Sequence, residues 1–320
     1  MTETKVVATE DPGAWLEAKR FRIPGSNARI GPVGHLSEER ARLDGLSWHH
    51  LTVHPCAVSL GAEISGVSLT EDLPDEVVAE IRQALIEYKV LFFRDQRLDA
   101  AQHVAFAARF GELEVHPFIP GNEDHPELVR FEKSADTGGY ENAWHHDVTW
   151  RETPSRAAIL HAISVPTVGG DTLFADMYAA YDGLDAATKD RIEDLVAVHD
   201  YARAFGYGLD DDAMAEMRRE YPPVEHPVVV RHPDSGRRAL YVNRIFTDRI
   251  AGLSDDESHE LLELLCSQAE LLEYQCRFRW TDDAVAFWDN LAVQHYAASD
   301  YWPHVRVMER ASIVGTRPTA

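Results

Sequence analysis

A long series of short runs rich in β-branched and aromatic residues, separated by turn-forming residues, constrains this chain more than any other feature. The runs fall at residues 51–54, 61–69, 90–93, 128–132, 143–149, 157–163, 172–175, 228–231, 239–242, 274–279, 284–288 and 306–314. Runs of this length and composition read as strands. So many of them point to a mainly β fold, a sandwich or jelly roll, with helices decorating one side.

The helices have their own signals. Val77, Val78, Ile81, Leu85 and Tyr88 share one helical face across residues 74–88, and a second helix is expected over 99–110. Ser254 followed by Asp255, Asp256 and Glu257 is a capping box that opens a third helix running to about residue 272, with Leu261, Leu262, Leu265 and Leu272 as its core stripe. Residues 1–48 lack periodicity and are expected to form an N-terminal extension that wraps the domain or is partly mobile. Residues 49–320 then form a single domain.

Charge narrows the partners. Lys and Arg total 31 against 54 Asp and Glu, a net charge of −23, which repels nucleic-acid backbones and anionic lipid surfaces. An anionic small molecule would therefore need a few locally placed cations. No apolar run approaches the length of a membrane span and the start has no signal-peptide pattern, so a soluble, cytoplasmic protein is expected. Cys56, Cys266 and Cys276 are odd in number and lack CxxC spacing, which points to buried free thiols.

Chemistry enters with His145, Asp147 and His295. Two histidines and one carboxylate cover one face of an octahedral Fe(II) and leave three positions open. On a strand, His145 and Asp147 would point to the same side while His146 points away. In a chain with 16 histidines an HxD triplet is expected by chance, so the triplet carries weight only with its surroundings.

Those surroundings resemble the taurine/α-ketoglutarate dioxygenase family, which includes taurine, alkylsulfate and aryloxyalkanoate dioxygenases. The resemblance runs from about residue 53 to 318, through Gly61-Ala62-Glu63-Ile64-Ser65-Gly66, Phe92-Phe93-Arg94-Asp95-Gln96, Trp144 to Trp150, Gly169-Gly170-Asp171-Thr172, Trp288-Asp289-Asn290 and Gln294-His295-Tyr296. It implies a double-stranded β-helix of the cupin-like, jelly-roll type. It also implies Fe(II) held by His145, Asp147 and His295, with 2-oxoglutarate and O2 as co-substrates. Arg306, eleven residues after His295, and Thr172 match the positions that hold the remote carboxylate of 2-oxoglutarate. A carboxylate at Asp147 points to hydroxylation, because related halogenases carry a small residue there.

Arg310 lies four residues beyond Arg306, so a continuous strand would aim both guanidinium groups at one face. The resemblance makes Arg310 and His116 the grip on an anionic substrate head. Where the taurine enzyme has an amide, a tyrosine, a phenylalanine and a serine, this chain carries Glu141, Ile119, Trp150 and Ala204, while Phe205 and Phe246 keep aromatic character. The pocket is thus more apolar and suits a longer alkyl or aryl tail.

The activity implied is oxidative decarboxylation of 2-oxoglutarate to succinate and CO2, coupled to hydroxylation of a small anion. With a sulfonate such as taurine the hydroxylated carbon collapses to aldehyde and sulfite, and with an alkyl sulfate it releases sulfate. The same chemistry on an aryloxyalkanoate or an amino acid is the nearest alternative. Zinc hydrolysis can also use two histidines and a carboxylate, but gives no reason for Thr172 and Arg306. A metal-binding, cupin-like sensor without turnover is the non-enzymatic reading. By analogy with the family, a homo-oligomer, dimer or tetramer, is expected.

Overall fold

Alternating burial along the strands builds two cores, one on each face of a large sheet. The computed structural model describes residues 33–116, 121–134 and 142–320, together with the paired backbone of Phe21–Arg22 and Arg29–Ile30. The sheet has seven strands in the order Thr52–Pro55, Ala62–Ser65, Val90–Phe93, Val285–Asp289, Ala157–Ser164, Arg306–Ile313 and Leu128–Lys133. All its pairs are antiparallel except Ala62–Ser65 with Val90–Phe93. Leu91, Phe93, Ile159, Val285, Phe287, Ala311 and Ile313 face outward into one core, where helices Asp75–Tyr88 and Ala100–Ala108 cover them.

The residues between them in sequence face the other way. Phe92, Ala158, Ala286, Trp288 and Met308 meet Phe174, Cys276, Phe278 and Val293 from a three-stranded sheet ordered Gln275–Phe278, Thr172–Asp176, Val293–Ala297. Phe92 stacks on Phe278 across this gap, with ring centroids 4.0 Å apart. Two sheets closing on one apolar layer are the jelly roll that the strand series predicts.

Helix Asp255–Cys266 has the expected capping box, Ser254 with Glu257. It ends earlier than the sequence suggests and passes into 3-10 turns at Ser267–Glu270 and Leu272–Tyr274. Leu261 and Leu265 are core, whereas Leu272 is 78% exposed, because the chain has left the helical register by then. Helices are also not confined to one side. Helix Asp255–Cys266 and the short helix Met177–Asp182 contribute to the inner core, opposite the pair on the outer face.

Within the stretch read as an extension, His35–Asp44 is a helix that buries Leu36 and Leu43. Its Glu39 reaches the fully buried Lys89, 2.9 Å from Nζ, and Lys89 also faces Asp176 at 3.3 Å. Burial alone would raise the Glu39 carboxyl, but Arg42, Lys89 and Arg237 hold it far below the usual range. Of the three thiols, Cys266 and Cys276 are buried as expected and Cys56 is exposed. No helix among the described residues is long and apolar enough to cross a membrane.

Candidate metal centre

The two histidines meet through their backbones. His145 N–H donates to His295 O at 3.1 Å and His295 N–H donates back to His145 O at 2.8 Å, a single antiparallel bridge. Position 295 belongs to strand Val293–Ala297 of the small sheet. Position 145 belongs to no strand, and the strand expected over 143–149 does not form. The chain pairs once and then turns through 147–150, with Val148 at φ +49°. Asp147 therefore reaches its partners by a turn rather than by strand alternation.

His145, Asp147 and His295 are buried, and one ligand atom from each lies within 4.8 Å of the others, the sole such group among the described residues. His145 Nδ1 donates to Ala143 O at 2.8 Å, which leaves Nε2 as the lone-pair donor, 4.0 Å from Asp147 Oδ1. His146 points elsewhere, with its ring 4.7 Å from Tyr241. Burial and the neighbouring His145 push His295 down to about 3, so it is neutral and able to ligate at pH 7. Burial would raise Asp147, but the charges of Arg310, His295 and His145 and a hydrogen bond from Arg310 bring it to about 2. Asp147 Oδ2 is buried and has no hydrogen-bond partner. Two imidazoles, an ionised carboxylate and an orphaned carboxylate oxygen fit a divalent cation of the facial type.

Beside this group Thr172 and Arg306 come together around a residue that the sequence reading missed. Trp280 Nε1 donates to Thr172 Oγ1 at 2.9 Å, and the Arg306 guanidinium carbon lies 5.8 Å from the Trp280 ring. A donor pointing into Thr172 Oγ1 leaves the hydroxyl proton to be given to an acceptor. Gly170, with φ +72°, lies against the arginine stem; an added Cβ would make an ordinary contact with Arg306 Cδ at 3.4 Å and a tight one with Tyr301 Cδ1 at 3.2 Å. Trp280 carries no motif, and its only advance signal is an aromatic at the end of a predicted strand.

Arg310 shares the inner face with Arg306 and Met308, as the even spacing predicts, and its Nη1 donates to Asp147 Oδ1 at 3.0 Å. Its guanidinium carbon lies 5.0 Å from the Phe131 ring, and Nε is buried without a hydrogen-bond partner. His116 is near enough to feel Arg310, Arg151 and Asp147; burial and the two arginines push its imidazole down to about 4, against the opposing pull of Asp147. Phe246 faces His145 at 6.4 Å between ring centroids, and Phe205, 53% exposed, lies 6.4 Å from Phe246. Trp150 packs on Tyr201 at 4.6 Å and Tyr221 at 5.6 Å, two further aromatics that the sequence reading did not select. Glu141 and Ile119 lie outside the described residues.

Comparison with known proteins follows the same lines. Residues 52–312 match the family described as taurine catabolism dioxygenase TauD, TfdA family. An α-ketoglutarate-dependent sulfate ester dioxygenase of Pseudomonas putida is 38% identical over 302 residues, which cover 92% of this chain and 95% of that protein. The crystal structure of a taurine dioxygenase from Burkholderia xenovorans superimposes with a TM-score of 0.75 at 36% identity, covering 85% of this chain and 92% of that one. AAD-2 in complex with Mn(II) and N-oxalylglycine does so with a TM-score of 0.72 at 31% identity, covering 84% and 99%.

Proposed function

This chain belongs to the TauD, TfdA family of α-ketoglutarate-dependent dioxygenases, and we propose that it uses Fe(II) to hydroxylate small organosulfur anions, sulfate esters or sulfonates with an apolar tail. The observation that carries this reading is the arrangement of cations. Arg306 and Arg310 lie on one inner sheet face, on either side of Met308, and Arg310 reaches Asp147 Oδ1 at 3.0 Å, in a chain of net charge −23. In so acidic a chain, two guanidinium groups on one face of a strand offer local cationic sites for two anions, the co-substrate carboxylate and the substrate head.

Bound Fe(II) and 2-oxoglutarate supply an O2-derived oxidant for a C–H bond, with succinate and CO2 as co-products. The residues of the chain do the positioning. Arg306 and Thr172 hold the far carboxylate of 2-oxoglutarate, with Trp280 orienting the Thr172 hydroxyl. Arg310 and His116 hold the anionic head of the substrate. Phe246 and Trp150 are 6% exposed and line an apolar wall that excludes water and receives the tail. Fixing the head in this way presents one carbon to the metal, and a small displacement would separate O2 consumption from product formation.

The aromatic wall favours a substrate longer than taurine, and the likeness to the sulfate ester dioxygenase of Pseudomonas putida supports a sulfate ester as one candidate. The test is a panel of alkyl sulfates, sulfonates, phenoxyalkanoates and amino acids, following succinate together with sulfate or sulfite. Equimolar succinate and sulfate or sulfite from at least one organosulfur anion is expected. Metal-dependent turnover confined to carboxylates would overturn the head-group assignment, and no succinate from any compound would overturn the enzymatic reading.

A further inference from the structure

The turn carrying Asp147 has no strand to hold it, yet it must present a carboxylate in one direction. After the single bridge at His145 the backbone of Asp147 pairs with a side chain instead. Asp147 N–H donates to Asn290 Oδ1 at 2.7 Å, and Asn290 Nδ2 donates to Asp147 O at 3.0 Å. One primary amide thus grips both polar groups of a single residue, which restrains its φ and ψ together and with them the direction of its Cβ. The next residue is Val148 at φ +49°, a left-handed conformation that a β-branched side chain strongly disfavours. Such a turn persists only when its surroundings over-determine it.

Asn290 is itself firmly placed. It is fully buried, its Nδ2 also donates to Ser155 O at 2.9 Å, and its own N–H donates to Arg156 O at 3.0 Å. It follows Asp289, the last residue of a fully buried central strand of the large sheet.

We propose that Asn290 is a positioning residue for the metal-ligating carboxylate: its amide replaces the missing strand partner of Asp147 and holds the left-handed turn at Val148. The proposal rests on the metal reading of His145, Asp147 and His295. It predicts a specific compensation, because glycine accepts a positive φ without penalty. With Gly at position 148 the turn would need less help from Asn290.

The experiment is titration of the metal-free protein with Co(II), read by visible absorption and calorimetry, for wild type, Asn290→Ala, Asn290→Ser, Val148→Gly and the Asn290→Ala/Val148→Gly pair. Thermal melting of each metal-free protein runs alongside. Asn290→Ala is expected to weaken Co(II) binding at least tenfold with an altered visible band, and adding Val148→Gly to recover at least threefold of that loss. Asn290→Ser, the milder change, carries the same expectation if the alanine variant does not fold. A folded Asn290 variant that binds Co(II) within twofold of wild type would overturn the proposal. So would a double variant with no recovery, since loss of general stability alone gives no reason for rescue at position 148. Failure of the wild-type protein to bind Co(II) would instead strike the metal reading itself.

Discussion

Arg310 makes opposite demands on the two things bound beside it, and this gives a prediction with a diagnostic sign. Arg310 Nη1 lies 3.0 Å from Asp147 Oδ1, and the two side chains are only 12% and 9% exposed. At that separation and an effective dielectric of about 20, the direct attraction is about 5.5 kcal/mol. Arg310→Met keeps most of the stem that lies along Phe131 and removes the charge. The buried Asp147 carboxylate then loses its counter-charge, a change that costs roughly 3–5 kcal/mol of stability in the metal-free state. A divalent cation restores a counter-charge and no longer faces a guanidinium competing for the same oxygen. Metal affinity should therefore rise, by tenfold or more if about 1.4 kcal/mol of the lost attraction is recovered on binding.

The anionic substrate should respond in the other direction. Losing a buried charge-assisted grip costs roughly 2–4 kcal/mol, or about 30- to 1,000-fold in affinity. The KM for 2-oxoglutarate should stay within a few-fold of wild type, because Arg306 and Thr172 are untouched. The assays are Co(II) titration of the metal-free protein, its urea unfolding with and without metal, and steady-state kinetics in each co-substrate. A fall in metal affinity parallel to the fall in substrate affinity would refute the reasoning. So would equal losses for substrate and 2-oxoglutarate, which would leave no separate role for Arg310.

Two more predictions test other parts of the structure. Trp280→Phe keeps a ring near Arg306 but removes the N–H that fixes the Thr172 hydroxyl at 2.9 Å, so the KM for 2-oxoglutarate should rise about 5- to 10-fold, near 1 kcal/mol. The KM of the organosulfur substrate should change less, and an equal rise in both would count against the pairing of Trp280 with the 2-oxoglutarate site. His103 is fully buried, donates through Nε2 to Ile159 O at 3.2 Å, and is pushed by burial and the nearby His161 to about 3. Because the unfolded chain binds the extra proton first, its contribution is complete above about pH 6.5 and is lost as pH falls toward 3, at up to about 1.4 kcal/mol per unit. His103→Gln should flatten the fall in stability between pH 6.5 and 4.5 in urea unfolding, and an unchanged slope would exclude this residue as a source of acid lability.

The strands, and the helices with a clear apolar face, were legible because their signals are local. Val90–Phe93 appears where its aromatic run predicts, and the Ser254 capping box opens its helix at Asp255. The strands at Val196–His199, Val224–Pro227 and Thr247–Ile250 were not legible, since histidine, proline and charged residues blur their alternation and only the pairing between them defines them. Helix His35–Asp44 was missed for a related reason. Its apolar positions are few, and much of its anchoring is an ion pair from Glu39 to Lys89, fifty residues away.

The metal centre divides along the same line, and the division bears on how such sites are built. The residue types at 145, 147 and 295 are fixed by coordination chemistry and can be read directly. Their geometry cannot, because strand alternation would have served and the chain does not use it. A strand through Asp147 would continue pairing beside His295, leaving the ligands on an inflexible ladder closed to anything larger than a side chain. Leaving the sheet after one bridge opens room beside the carboxylate, where Arg310 approaches from the opposite sheet and Phe246 faces His145. The cost is a left-handed valine and a carboxylate without a strand neighbour. Asn290, 143 residues away in sequence, offsets both with one amide. The departure from the simplest sequence rule therefore falls beside the proposed substrate site, and the residue proposed to make the departure tolerable lies in a motif whose purpose no local pattern discloses.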